Sequence, residues 1–522
     1  MFAIPTTLPD DPAALQQMLL AALAEIERQR LIIAALQRNR FGRRSEQLDD
    51  EAVQRGVEDV EQSVAERSAA LDAVVAQSSP AKASTPPRTE PAKRNRGALP
   101  PELPRVEQVI DIETKLCPCC GGALHVIDED RTAMLDYVPA QFRVRVIRRP
   151  RYGCRACEEA VVQAPAPERP IDGGMATEAL LAHVLVNKYS DHLPLYRQAQ
   201  IFARQGIALD RSTLCNWVGR ACWWLAPLYE LVLSTVLASP KVFADDTTLP
   251  VLDPGRGRTK TGRLWGYAVD NRPWCGPGHP AAAYVYSEDR KGEHPQTHLR
   301  GFRGLLQVDG YAGFGGLVRG NSDDAAQLAF CWAHVRRKFY DIHVANPSPL
   351  AAEALRRIAE LYAIEADIRG TPAENRRSER QQHSRPLVEA MHAWLTEQIE
   401  RISGRSTMAH AMRYALNHWS GLIRYLDDGR LEMDTNTVER AMRPVALGRK
   451  NALFAGADSG GRHWAIVATL IQTAKLNDVD PLTWLTDVLQ RIVAGTTKQN
   501  ELHKLLPWNW KTANAVEAPN SA

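Results

Sequence analysis

The strongest constraint in this chain is a pair of acids placed inside a strand. Residues 242–252, "VFADDTTLPVL", are β-rich in character yet carry Asp245 and Asp246. A buried, unpaired carboxylate is costly, so such a strand needs a cation or a partner for its acid. Strand residues alternate faces, so only one of the two aspartates points inward. Two further β-rich segments follow, "GRLWGYAVD" and "AAAYVYSED". A fourth, "GLLQVDGYAGF", ends in Asp309, and "AQLAFCWAHVRRKFYDI" reads as a strand passing into a helix.

Three strands, a short helical connection and then a strand with a terminal acid is the order of a ribonuclease-H-like sheet. In that order the first and fourth strands lie side by side, which predicts that Asp245 and Asp309 meet at one end. Two carboxylates on adjacent strands make a hard oxygen site suited to Mg²⁺. The plainer alternative is that Asp309 opens the turn "DGYAG" and that Asp245 or Asp246 is a surface residue. A third acid bears on that choice. The segment "EMDTNTVERAMRPVALGRKNALFAG" reads as a helix entered through Asp434 or Thr435 and carrying Glu439. Asn436 and Arg443 stand three before and four after Glu439, on the same face. Pro444 is expected to end or kink this helix, leaving Arg449 and Lys450 in a loop. An exposed Glu439 paired with Arg443 is the ordinary alternative.

Between Asp309 and Glu439 lie 129 residues, more than a bare domain of this kind needs. Residues 345–430 have helical period and are expected to form a helical insertion before the Glu-bearing helix, with a structural brace as its plain reading. Cys331 and His334, as Cys-x-x-His, follow the second acid. By their place they make a packed strand-to-helix junction. A zinc ion there lacks two obvious further ligands. His294 and His298 are four apart, but Pro295 between them weakens a helical ligand pair.

Upstream, Cys117 and Cys120 form one Cys-x-x-Cys and Cys154 and Cys157 another. Two such knuckles can set four thiolates around one structural zinc, in a zinc-ribbon-like module over residues 106–170. Between the pairs, "FRVRVIRRPRYGC" alternates in the strand period and predicts a basic β-hairpin. Residues 171–240 read as helical. One helix ends near Arg204, Gly206 turns, and Asp210 or Ser212 caps the next. This rhythm fits a helix-turn-helix or a plain helical lead-in. Residues 12–38 carry a heptad seam with Gln29 at one polar position, predicting a coiled-coil helix within an N-terminal arm over residues 1–76. Residues 77–105 are Pro-, Ser- and Ala-rich and read as a disordered linker. The core is expected over 241–460 and a C-terminal helical segment and tail over 461–522.

The chain has 522 residues, too many for one ordinary core. With 64 Lys plus Arg against 61 Asp plus Glu, its net charge is +3, so any nucleic-acid surface must be local. Basic clusters occur at residues 38–44, in the linker, along the zinc hairpin and after Glu439. No apolar run approaches the roughly 18 residues of a membrane span. Nine cysteines, an odd count, argue against a disulfide scaffold and for a reducing cytoplasm.

The segments "FADDTTLPVLDPGRGRTKTGRLWGY", "LLQVDGYAGF", "FCWAHVRRKFYD", "NTVERAMRPVALGRKNALFAGADSGGRHWA" and the two cysteine knuckles together resemble the DDE transposases of the insertion-sequence-66 family, TnpC type. The likeness runs over almost the whole chain. It implies a multidomain α/β protein with a ribonuclease-H-like core. It implies an acidic triad of Asp245, Asp309 and Glu439, although the family usually has Glu where Asp246 stands. The implied chemistry is DNA strand cleavage and strand transfer with two Mg²⁺. Arg443, Arg449 and Lys450 are candidate DNA-backbone contacts, and Cys331, His334 and Asn436 candidate positioning residues. Implied partners are the element's terminal repeats and target DNA, further copies of the chain, and accessory proteins of the same element. The implied setting is the bacterial cytoplasm, at the nucleoid when bound to DNA. The competing readings are an inactive relative that only binds DNA and an unrelated zinc-ribbon nuclease or scaffold.

Overall fold

The computed structural model describes residues 141–153, 161–253, 255–317 and 326–517. The expected coiled-coil arm, the linker and all four paired cysteines (Cys117, Cys120, Cys154 and Cys157) lie outside the described residues. Strands β1 (Arg151–Gly153) and β2 (Val161–Gln163) pair antiparallel on either side of the second cysteine pair. Arg149 and Gln163 tie the hairpin base, with Arg149 donating to the Ala164 carbonyl at 2.9 Å and Gln163 to that of Arg149 at 2.8 Å. The longer strand expected through residues 142–150 is absent. Those residues carry the alternating pattern but have no partner strand among the described residues, and nearly all are exposed.

Three helices follow: α1 (Glu178–Tyr189), α2 (Leu195–Arg204) and α3 (Arg211–Leu237). Gly206 makes the turn between α2 and α3 at φ +82°, where a side chain is disfavoured, and the N-cap of α3 is Asp210 rather than Ser212. Helix α3 buries Leu214, Trp217, Ala221, Leu225 and Leu228 at helical spacing. That face belongs to the main core, so the segment is a load-sharing part of the fold as well as a lead-in; Arg211, Asn216 and Arg220 face outward.

The sheet has five strands: β3 (Lys241–Asp253), β4 (Arg258–Val269), β5 (Ala281–Ser287), β6 (Leu305–Val308) and β7 (Gln327–Phe330). Their order is β5-β4-β3-β6-β7. The first three form an antiparallel meander, and β6 and β7 run parallel to β3. The first and fourth strands therefore neighbour each other, as the strand order predicts. A short helix, α4 (Glu293–His298), precedes β6. His294 approaches Asp289 at 2.6 Å and His298 approaches the Tyr267 hydroxyl at 2.9 Å, so these two histidines serve different partners.

After β7 the chain enters α5 (Trp332–Ala345) and then an insertion built from α6 (Pro349–Ile368), α7 (Ala373–Glu379), α8 (Arg385–Arg401), α9 (Thr407–Asn417) and α10 (Trp419–Leu422). The insertion has its own core around Trp332, Ile358, Met391, Leu395 and Met412. Within it, Arg376 and Arg380 are only 1% and 0% exposed. Glu365 accepts from both, at 3.3 Å and 2.6 Å, and Arg376 also reaches Glu432 at 2.8 Å. Buried charge is tolerable only when paired in this way.

The chain leaves the insertion through residues 430–435, which are clamped to the sheet. Gln307 on β6 donates to the Glu432 carbonyl at 2.8 Å and accepts from its N–H at 3.0 Å. The Trp332 N–H donates to the Met433 carbonyl at 3.1 Å. Lys241, buried at the start of β3, donates to the Arg430 carbonyl at 2.9 Å, and burial pulls its ammonium down to about 8. The clamp delivers α11 (Asn436–Asn451) onto β3 and β4.

Helices α12 (Asp458–Leu476), α13 (Pro481–Val493) and α14 (Pro507–Glu517) complete the described chain. Helix α12 covers the open edge of β5. Thr469 and Thr473, four apart on one helix face, accept from the N–H groups of Tyr284 and Ala282 at 2.9 and 3.2 Å. An uncovered edge invites pairing with another chain, and here two hydroxyls close it. No helix among the described residues is long and apolar enough to cross a membrane.

Candidate active site

The register of β3 against β6 pairs Phe243 with Gln307. Two residues further along each strand stand Asp245 and Asp309, the latter directly after β6 ends. Asp309 does shape the turn after it: its Oδ1 accepts from the Tyr311 N–H at 2.8 Å, and Gly310 follows at φ +99°. A side chain on Gly310 would also meet the His418 ring and the Tyr414 hydroxyl at 3.1 Å. Tyr414, on α9 of the insertion, donates to the Asp309 carbonyl at 2.8 Å. The turn role and a role in an acid cluster are thus compatible in one residue.

Glu439 comes from α11, in its first turn. Helix α11 descends close to the sheet because Gly266, the partner of Asp245 across β3 and β4, has no side chain. A Cβ there would stand 2.8 Å from the Met442 sulfur. The Thr435 hydroxyl donates to Glu439 Oε1 at 2.8 Å. The three acids are near enough to repel. Burial pushes the Asp245 carboxyl well above the usual carboxylate range, and the charges of Asp309, Glu439 and Asp246 push it further. The Asp246 N–H, donating to Asp245 Oδ1 at 2.7 Å, pulls the other way.

The neighbouring Asp246 is in a different electrostatic state. Its side chain is 2% exposed and forms ion pairs with Arg263 at 3.1 Å and Arg290 at 2.9 Å. Burial lifts its carboxyl as well, and the two arginines draw it back. Arg290 in turn lies over the Tyr311 ring, 4.3 Å from its centre. Among the described residues no lysine or arginine pairs with Asp245. A buried carboxylate that faces two other acids without a cation is the surrounding a divalent metal ion fits.

The remaining sequence-derived candidates fall around this cluster. Asn436 donates through its backbone and side chain to Asp434, at 3.1 and 2.7 Å, so it orients an acid. That acid, Asp434, is one that sequence reasoning treated only as a cap. Burial lifts it to about 6, with the nearby charge of Glu439 contributing. Its signal was present in "DTNTVE", five residues before Glu439. Arg263 and Arg290 carried no signal, because their pairing with Asp246 exists only once β3, β4 and the segment after β5 have come together.

Helix α11 does not end at Pro444. It continues to Asn451, which corrects the expected loop and places Arg449 and Lys450 in the last helical turn. Proline removes one backbone hydrogen bond, but buried Val438, Ala441, Met442, Val445 and Gly448 hold both halves of the helix to the core. Arg449 donates to the Thr248 carbonyl on β3 at 2.6 Å and so anchors the helix. Arg443 and Lys450 are exposed, seven residues apart and hence on one face. Cys331 is buried at the N-terminus of α5, and His334 lies one turn on.

Comparison with known proteins matches residues 173–463, which include all three acids, to the family described as "Transposase IS66 family". The chain belongs to the IS66 transposase family. Residues 469–508 match the IS66 C-terminal element, residues 114–158 the zinc-finger binding domain of transposase IS66, and residues 28–107 a family described as "Transposase C of IS166 homeodomain". The zinc-finger match spans both cysteine pairs and supports a structural zinc. Similar proteins of Sinorhizobium fredii carry no described function. Uncharacterized protein y4jD is 51% identical over 82% of this chain and 84% of its own length. Uncharacterized protein y4qI is 41% identical over 97% and 98%. Family membership makes this a transposase, and with its zinc-finger domain it implies binding to DNA.

Proposed function

We propose that the protein cuts and joins DNA at the ends of an insertion sequence, with Asp245, Asp309 and Glu439 as the catalytic acids of a ribonuclease-H-like core. One observation carries this reading. Acids from β3, from the end of β6 and from α11 converge so closely that, on top of burial, the charges of Asp309 and Glu439 raise the Asp245 carboxyl, while Asp246 is already paired with two arginines. Two Mg²⁺ held by such acids supply an activated oxygen nucleophile and neutralise charge on the leaving oxygen.

The chain's own groups have separate tasks. Asp245 and Asp309 are set by the sheet register, which fixes their spacing against thermal motion. Thr435 orients the Glu439 carboxylate through its hydroxyl, and Asn436 orients Asp434. Arg443 and Lys450, on the exposed face of α11, suit phosphates of the bound strand. Such contacts position DNA without reading its sequence. Recognition of the ends falls to the zinc module and other N-terminal segments, and joining two ends calls for more than one copy of the chain. Displacement at phosphorus is in line, and no side chain becomes covalently attached to DNA.

The test is a strand-transfer assay with labelled element ends and Mg²⁺. Asp309→Asn and Glu439→Gln should each lower joining by about 10²–10⁴-fold, since a ligand to a catalytic metal is worth several kcal/mol of barrier. End binding, read by gel shift, should persist. Joining at the wild-type rate in either variant removes the triad.

A further inference from the structure

Directly beside the acid cluster the fold gathers three unlike ligands. Cys331 is the N-cap of α5, His334 stands in the first turn of that helix, and Glu439 faces them from α11. Their ligand atoms all lie within 4.8 Å of one another. Packing alone does not explain the set. His334 Nδ1 is buried with no hydrogen-bond partner, and Glu439 Oε1, at 4.0 Å, stands beyond hydrogen-bond reach. Cys331 Sγ accepts from the N–H of Thr435 at 3.3 Å and from the backbone of His334. Burial holds the Cys331 thiol well above its usual range, the charges of Glu439 and Asp434 add to this, and the two backbone donors oppose it; a coordinating metal ion removes such a proton outright. Cys-x-x-His with such donors resembles half of a zinc knuckle.

We propose that Cys331, His334 and Glu439 form a second zinc site, with three protein ligands and one open position, separate from the paired-cysteine module. Ligand atoms around a tetrahedral zinc stand about 3.3–3.6 Å apart, given Zn–S near ~2.3 Å and Zn–N near ~2.0 Å. Side-chain rotation by on the order of an ångström closes the observed cluster onto an ion. Sulfur and imidazole are poor ligands for Mg²⁺ and good ones for Zn²⁺, so the site selects against the ion proposed for the acids. On binding, the thiol proton leaves to solvent and the sulfur lone pair goes to the metal. Zinc there ties α5 to α11 and holds the Glu439 carboxylate at its working angle. That consequence rests on the triad reading, because Glu439 belongs to both; the site itself rests on the ligand geometry.

The experiment counts zinc per full-length chain by plasma mass spectrometry, after loading with excess zinc and desalting. Two equivalents are expected in the wild type. One is expected in Cys331→Ser and in His334→Ala, and one in the double variant Cys154→Ser with Cys157→Ser. Asp309→Asn should keep both while losing joining, which separates this proposal from the triad. A single equivalent in the wild type, none in the double cysteine variant, or two in both Cys331→Ser and His334→Ala overturns it. Should those two variants misfold, the wild-type count and the double-variant count still decide. Cobalt loading adds a spectroscopic measurement: the Cys154/Cys157 double variant must retain a sulfur-to-cobalt charge-transfer band, and its absence there also sinks the site.

Discussion

Asp245 and Asp246 share a peptide bond and oppose each other in almost everything else. Alternation along β3 turns one toward Asp309 and Glu439 and the other toward Arg263 and Arg290. Their isosteric variants should therefore move stability in opposite directions. Asp245→Asn removes a buried charge that other acids repel, so in metal-free protein near neutral pH it should raise the melting temperature by a few degrees. Asp246→Asn leaves two guanidinium groups facing a neutral amide and should cost on the order of 3 kcal/mol, as breaking one side of a buried ion pair does. Calorimetry in chelator checks both, and the same sign for the two variants would show that the surroundings are misassigned. The alternation rule made one inward acid legible in the sequence. Which one, and what neutralises its neighbour, was not legible, because Arg290 approaches from a segment 44 residues away.

At the scale of elements, the strand order was readable because each strand carries its own hydrophobic signature and the acids mark the ends. The helix bearing Glu439 was readable as far as Pro444. Its last two turns were not, because proline weakens the local signal while burial against β3 and α12 restores the helix. The insertion was readable as helical by period, yet its internal lock was not. Arg376, Arg380 and Glu365 look like solvent-facing charges in the sequence and become the charged heart of the insertion only after α6 and α7 fold back. Glu365→Gln should cost about 3–5 kcal/mol, as an uncompensated buried cation does. Urea unfolding gives the number, and a change below about 0.5 kcal/mol, ordinary for a surface site, would place these arginines in solvent.

At the scale of the molecule, the sheet core and the insertion core meet along the clamp at residues 430–435, and the acid cluster lies at that junction. Its electrostatics set how the whole protein responds to pH. Burial on folding raises Asp434 from an ordinary carboxylate value near ~3.9 to about 6, with the Asn436 N–H opposing the rise, Glu439 and Glu432 adding to it and Arg440 drawing it back. Folding raises Asp245 as well. A folded state that binds protons more tightly than the unfolded chain loses stability as pH rises. For Asp434 the loss runs from about pH 4 to about pH 6. Metal-free protein should accordingly melt lower at pH 8 than at pH 5. Added Mg²⁺ should recover much of the difference at pH 8 and little at pH 5, where Asp434 and Asp245 hold more protons. A Mg²⁺ response of equal size at both pH values would disconnect the acids from the metal.

The insertion between Asp309 and Glu439 also sets a clock. A ribosome releases Asp245 and Asp309 long before Glu439, with 129 residues of further synthesis between the second and third acids. The sheet that carries the first two acids is covered on β3 and β4 by α11 and closed at its β5 edge by α12, and both helices are made after the insertion. The length of the detour thereby makes completion of the sheet and of the acid cluster one late event, reached only when the chain beyond the insertion has been made.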